Sequence, residues 1–295
     1  MIHWRSNASA FAELLGSAAA SLVVSPWRAQ SCVRLPARGR ALLTGDLHGH
    51  SEIFEAVVSR AQLELSRDHH LVLQEIIHDG ALVDGVDFSH RLLGRLAELV
   101  LAHPGQVHPI LANHEIAQYR GHPIAKAGVH CTVAFDEGLD AAFGEEADLA
   151  ASAVRAFITA MPLAVVCANG VVVTHSLPNA GAMRHFDARV LERPLVVDDF
   201  DPPYGAAYLL TWGRTQTVEQ LEALAREWNA SAFVVGHAPA PEGVEYRPPN
   251  MVVLNTGHDR GRVIELDLAT TRPSASQLVD ASVAVSALLG QGEKA

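Results

Sequence analysis

The chain has 295 residues, 49% of them apolar, enough to bury a sizeable core as one large domain or two small ones. With 22 Lys and Arg against 33 Asp and Glu, the formal charge is −11, which argues against nucleic acid as a partner, because phosphate backbones call for concentrated Lys and Arg. A small phosphorylated substrate stays compatible with that charge, since a bound cation can supply the positive field locally, and 16 histidines provide candidates to hold one.

The first 40 residues read as an N-terminal helical extension: an apolar helix over 11–24, interrupted by Glu13, and then a connection between Pro26 and Pro36. That stretch is read as a buried helix rather than a signal peptide. No segment reaches the roughly twenty apolar residues of a membrane span, so no membrane partner is expected. A short strand over 41–44 runs into Gly45-Asp46, and a helix pattern follows over 52–65. A second strand covers 70–73, a helix 89–101, and a third strand 107–111, which ends at Ala112-Asn113-His114-Glu115. Strand and helix alternate here, which predicts an α/β sheet with ligands at the C-terminal ends of its strands.

Residues 116–160 are Ala-rich and helical in pattern, and read as a helical insert over the site. Strands resume over 163–167 and 171–174, joined by the turn signal Asn169-Gly170, with His175 directly after the second. Further strands are expected over 232–235, ending at Gly236-His237, over 251–254 and over 262–268, with a helix over 218–228. They suggest a second sheet packed on the first, in one domain over 41–270. Residues 271–295 read as a C-terminal strap or tail. Cys32, Cys131 and Cys167 are dispersed and form no CxxC pair, so neither a disulfide framework nor a zinc knuckle is suggested, and the pattern fits a reducing cytoplasm.

Five polar groups share one position, directly after an apolar strand: Asp46 with His48, Gln74-Glu75, Asn113-His114, His175, and Gly236-His237. Any one of them could be a turn former or a helix cap. Five in succession, each offering carboxylate, imidazole or carboxamide, point instead to a metal centre, because strand ends of one sheet converge on one edge. Mixed oxygen and nitrogen donors suit Mn, Fe or Zn better than Ca or Mg.

With Gly45-Asp46-Leu47-His48-Gly49, Ala112-Asn113-His114-Glu115, Thr174-His175-Ser176 and Gly236-His237 in this order, the sequence resembles the calcineurin-like metallophosphoesterase superfamily, and within it the Ser/Thr protein phosphatase branch. The resemblance spans about 41–267. It implies a four-layer α/β/β/α fold, a two-sheet β-sandwich flanked by helices. It also implies two divalent cations held by Asp46, His48, Asn113, His175 and His237, with a bridging carboxylate from a further motif. That motif, GDxxDRG in the family, is altered here to Gln74-Glu75-Ile76-Ile77-His78-Asp79-Gly80. Counted back from Gly80, Glu75 falls on the bridging carboxylate, His78 on the second Asp, and Asp79 on the Arg. Asp79 and Asp84 remain rivals to Glu75 as the bridge.

By the same resemblance, a metal-activated hydroxide would attack phosphorus in line, and His114 would protonate the leaving oxygen. The family's support for this His is the second Asp; with His78 there, Glu115 or Asp79 could take its place. Arg214 is the candidate phosphate clamp, with Arg184 and Arg120 behind it. The expected function is hydrolysis of phosphomonoesters on Ser/Thr of proteins or on small molecules. The alternatives are a phosphodiester or dinucleoside polyphosphate hydrolase, and a non-catalytic metal-binding scaffold.

Overall fold

A computed structural model describes residues 4–292 except residue 127. Two main sheets stack face to face between helices. The first runs in the order Ser282–Ala284, Arg262–Asp267, Arg40–Asp46, His69–Gln74, Val107–Ile110, the last three parallel. The second runs Arg28–Ala29, Cys32–Leu35, Ala164–Cys167, Val171–Thr174, Ala232–Val235, Met251–Leu254, Val244–Arg247. This is the α/β, two-sheet sandwich that the strand order and the resemblance predict.

Alternation along each strand explains the layering, because successive side chains point to opposite faces. Ala41, Leu43, Val72 and Ile264 of the first sheet meet Val165, Val173, Val234 and Val252 of the second in a core between the sheets. The intervening Leu42, Leu71 and Leu73, and on the other sheet Phe233, Val235 and Val253, face outward into the helical layers. Strands buried on both faces therefore read as continuous apolar runs. On the outside, the helix Ala8–Val23 lies along the helices Ala147–Ala160 and His90–Ala102, burying Phe11, Leu15 and Leu22. Each such side chain contributes about 1.5–3 kcal/mol of burial.

The N-terminal segment differs from the expected helix and connection. Cys32–Leu35 pairs in parallel with Ala164–Cys167, so residues 1–40 supply a strand of the second sheet as well as a helix. Cys32, Val33 and Leu35 are buried and Arg34 is exposed, a pattern too short to stand out between two prolines. The helix expected over 52–65 ends at Ala61, where Gln62 turns left-handed, and a short 3-10 turn follows over Leu63–Leu65. Near the C-terminus, the strand Ser282–Ala284 joins the edge of the first sheet. Among the described residues, no helix is long and apolar enough to cross a membrane.

The sheets touch at one end, and this contact places the site. A Cβ on Gly45 would lie 1.8 Å from the carbonyl oxygen of Leu254, so only glycine lets the first sheet's central strand approach the second this closely. Asp46 then bridges to Asn255 across the gap, and Gly257 donates its N–H to the Asp46 carbonyl at 2.7 Å. The strand ends of both sheets thereby open onto one cavity.

Candidate metal centre

Each donor comes from a strand end or the turn after it. Asp46 closes the strand Arg40–Asp46, and its Oδ1 accepts the backbone N–H of His237 at 3.0 Å. A Cβ on Gly236 would stand 2.2 Å from that same oxygen, so the Gly before His237 is a packing requirement. His48, Glu75, His78 and His237 all adopt left-handed backbone angles, with φ of 46°, 48°, 65° and 60°. Such conformations cost non-glycine residues on the order of 1–3 kcal/mol each and gather at functional sites. The turn carrying Glu75 is held by Glu115, whose Oε1 accepts the N–H groups of Ile76 and Ile77 at 2.8 and 3.3 Å.

Glu75 lies at the centre, 2% exposed. Its Oε2 is 3.0 Å from His48 Nε2, while its Oε1 is 3.6 Å from His175 Nε2 and 3.7 Å from His114 Nε2. It belongs to two sets of donors close enough to share an ion, Asp46–Glu75–His175 and His48–Glu75–His114. On the far side, Asn113 Oδ1 sits 2.8 Å from His175 Nε2 and 2.9 Å from His237 Nδ1. The structure therefore gathers Asp46, His48, Glu75, Asn113, His175 and His237 around one point. The rivals to Glu75 lie apart: Asp79 accepts from the N–H of Ala81 at 2.7 Å, and Asp84 is exposed in a tight turn.

These groups fit a cation. Gln74 donates to the Thr44 carbonyl at 2.8 Å, which turns its Oε1 toward His175 Nδ1 at 3.2 Å. His175 thus donates from Nδ1 and presents the bare lone pair of Nε2 to the Asn113 oxygen. Two acceptors facing each other across 2.8 Å call for a positive ion between them, and the Gln74 contact is the outer support that ligating imidazoles use. Glu75 Oε1 is buried without a hydrogen-bond partner. Burial pushes the Glu75 carboxyl up to about 7, and burial together with the charge of Glu75 holds Asp46 well above its usual range. Burial also lowers His175 well below its ordinary value and His237 to about 3, keeping both in the neutral form that binds metal.

A cavity of about 510 Å³ opens over this cluster, and Arg214 and Lys126 line it together with His114. Arg214 Nε donates to His237 Nε2 at 3.1 Å. Arg120 is instead paired with Asp201, at 2.8 and 3.0 Å, and Arg184 is exposed beside His185. Lys126, Trp212 and His258 are lining residues that the sequence reading missed. His258 carried a signal, since Asn255 to His258 is one more polar group after a strand end; Lys126 carried none.

His114 rests on His78. The two Nδ1 atoms are 2.8 Å apart, His78 Nε2 is 2.9 Å from Gln118 Oε1, and Gln118 Nε2 donates to Asp136 at 2.7 Å. The carboxylate of Asp136 fixes the Gln118 amide with its oxygen toward His78. His78 then donates from Nε2 and accepts at Nδ1, so His114 carries its proton on Nδ1 and directs Nε2 at the cavity. A neutral His can thus occupy the second Asp's place in the altered motif, rather than Glu115 or Asp79, the two substitutes the sequence offers. Glu115 serves the backbone instead, and Asp79 closes its own turn.

Residues 39–263 match the model of the calcineurin-like phosphoesterases, and the chain belongs to that family. It is therefore a hydrolase of phosphoric esters, in a family that depends on metal. A protein serine/threonine phosphatase from Saccharomyces cerevisiae with similarity to human phosphatase PP5 superposes with a TM-score of 0.62 at 15% identity, over 88% of this chain and 82% of that one. A cold-active protein-tyrosine phosphatase of a psychrophilic Shewanella species gives 0.52 at 13% identity, over 85% and 80%. At such identities the likeness is one of fold. No curated protein sequence matches this chain.

Proposed function

We propose that the chain hydrolyses phosphomonoesters with two divalent cations, one held by Asp46 and His48, the other by Asn113, His175 and His237, and both by Glu75. The observation that carries this reading is the position of Glu75, whose two oxygens face opposite donor groups at 3.0 and 3.6 Å. The donors are mixed oxygen and nitrogen, which favours manganese, with iron or zinc as alternatives. When bound, such a pair neutralises phosphate oxygens and lowers the pKa of an attacking water.

The chain's own groups supply the rest. Arg214 and Lys126 offer two positive charges to the cavity, matching a phosphomonoester dianion better than a singly charged diester. With a cation held at its Nδ1, His237 would carry its proton on Nε2 and could not accept from Arg214, whose guanidinium would then be free for a phosphate oxygen. His114 presents Nε2 to the leaving oxygen. Burial and neighbouring imidazoles hold its pKa down, and an incoming dianion opposes both by favouring the protonated ring. The substrate is a phosphorylated protein or a small phosphate ester.

The discriminating experiment compares p-nitrophenyl phosphate with its bis ester on protein of measured metal content. Turnover should favour the monoester. Preference for the bis ester would move the assignment to a diesterase, and two metals without turnover of either would make the protein a scaffold. Arg214→Ala should raise KM for the monoester about tenfold or more, by loss of one charge-assisted contact worth about 1.5–3 kcal/mol. An unchanged KM would remove Arg214 from the phosphate site.

A further inference from the structure

We propose that His78, His114 and Cys131 form a second, inhibitory site for zinc beside the catalytic centre. The three come from separate elements: the turn after His69–Gln74, the helix Asn113–Arg120, and the first residue of the helix Cys131–Phe143. One donor atom from each lies within 4.8 Å of the other two. All three side chains are buried, at 1%, 7% and 5% exposure. The thiol of Cys131 contacts the Val129 carbonyl at 3.6 Å.

The donor chemistry separates this site from its neighbour. The catalytic cluster offers carboxylates, a carboxamide and imidazoles, whereas a thiol with two imidazoles selects zinc over manganese or magnesium. Zinc bonds of about 2.0–2.3 Å place tetrahedral donors roughly 3.5 Å apart, between the present 2.8 Å of the two rings and the 4.8 Å limit of the cluster. His78 already has the outer support of a ligating imidazole, its Nε2–H on Gln118 at 2.9 Å. His114 links the two sites, lining the cavity while its Nδ1 faces His78.

Binding has a definite proton balance. The Cys131 thiol loses its proton to solvent. The proton on His114 Nδ1 leaves the ring pair and is replaced by one on Nε2, so the ring stays neutral. Zinc takes the freed lone pairs of both Nδ1 atoms and the thiolate. His114 then carries an Nε2–H whose loss would generate an imidazolate, a much weaker acid than an imidazolium. Proton donation to a leaving group is shut off while the catalytic cations stay in place. Because the two rings satisfy each other without the ion, zinc competes with an intact hydrogen bond and a protonated thiol, and inhibition depends on its concentration. The inhibitory consequence rests on the reading of His114 as proton donor; the binding does not.

Two measurements test this. Manganese-loaded protein turning over an alkyl phosphate should lose activity as zinc is added. Cys131→Ser, with the same activity in the absence of zinc, should need at least about tenfold more zinc for the same inhibition. Cys131→Ala serves equally if the serine variant folds poorly. Separately, cobalt titrated into metal-free protein should produce a thiolate-to-cobalt absorption band in the wild type that is missing from the Cys131 variants. Equal zinc inhibition of wild type and variant, or identical cobalt spectra, would overturn the proposal. A thiolate band in a protein that hydrolyses no ester would establish the site while removing the phosphatase reading.

Discussion

Glu75→Gln should reduce turnover of a phosphomonoester by at least about a hundredfold and remove most bound metal, while Asp79→Asn and Asp84→Asn stay near wild type. Gln preserves the shape of Glu75 and removes the charge that a pair of cations requires on both sides. Neither rival can replace it, because Asp79 is turned to the Ala81 amide and Asp84 is exposed in its turn. The loss should not come from unfolding. Without metal, Glu75 is a buried carboxyl raised from 4.5 to about 7, so its cost to the fold grows above about pH 4.5 and is complete above about 7, a cost that Gln lacks. The metal-free variant should therefore melt no lower than metal-free wild type at neutral pH. Elemental analysis and kcat on the three variants check the assignment. Asp79→Asn losing as much metal and turnover as Glu75→Gln would transfer the bridge to Asp79.

The sequence exposed most of the scaffold because doubly buried strands leave uninterrupted apolar runs. Val171–Thr174, Ala232–Val235 and Met251–Leu254 have the same bounds in the structure as in the sequence reading. The strand Cys32–Leu35 was hidden because four residues between two prolines cannot establish a period. The donor residues were legible for a related reason: each ends an apolar run, where a polar side chain is conspicuous. What supports them was not. Gln118 lies four residues beyond His114, one helical turn along the same face, but a Gln on a helix has no local feature marking it as a ligand's support. Asp136 and Cys131 reach His78 only through the packing of the helix Cys131–Phe143, a long-range relation with no trace in local pattern. Lys126 likewise meets the cavity through tertiary placement alone.

His114→Ala should leave metal content near wild type and lower kcat for an alkyl phosphate by about 10²–10⁴. The loss should be much smaller for p-nitrophenyl phosphate, whose leaving group departs without a proton. This contrast follows from the position of Nε2 at the cavity and from the chain of contacts behind the ring. His78→Leu removes the acceptor for His114 Nδ1–H and frees the ring to turn, so it should show the same leaving-group dependence in weaker form. His78→Asp restores an acceptor and should recover alkyl phosphate turnover relative to Leu. A purely space-filling role for His78 predicts the opposite order, since Leu suits a buried site and an isolated carboxylate does not. Gln118→Leu separates the two roles further: it leaves His78 in contact with His114 but releases His78 from the tautomer that accepts. If His114→Ala cleaves alkyl and aryl phosphates with equal losses, His114 is not the proton donor. Loss of metal in that variant would instead make it a ligand alongside His48 and Glu75, whose donor atoms it already approaches.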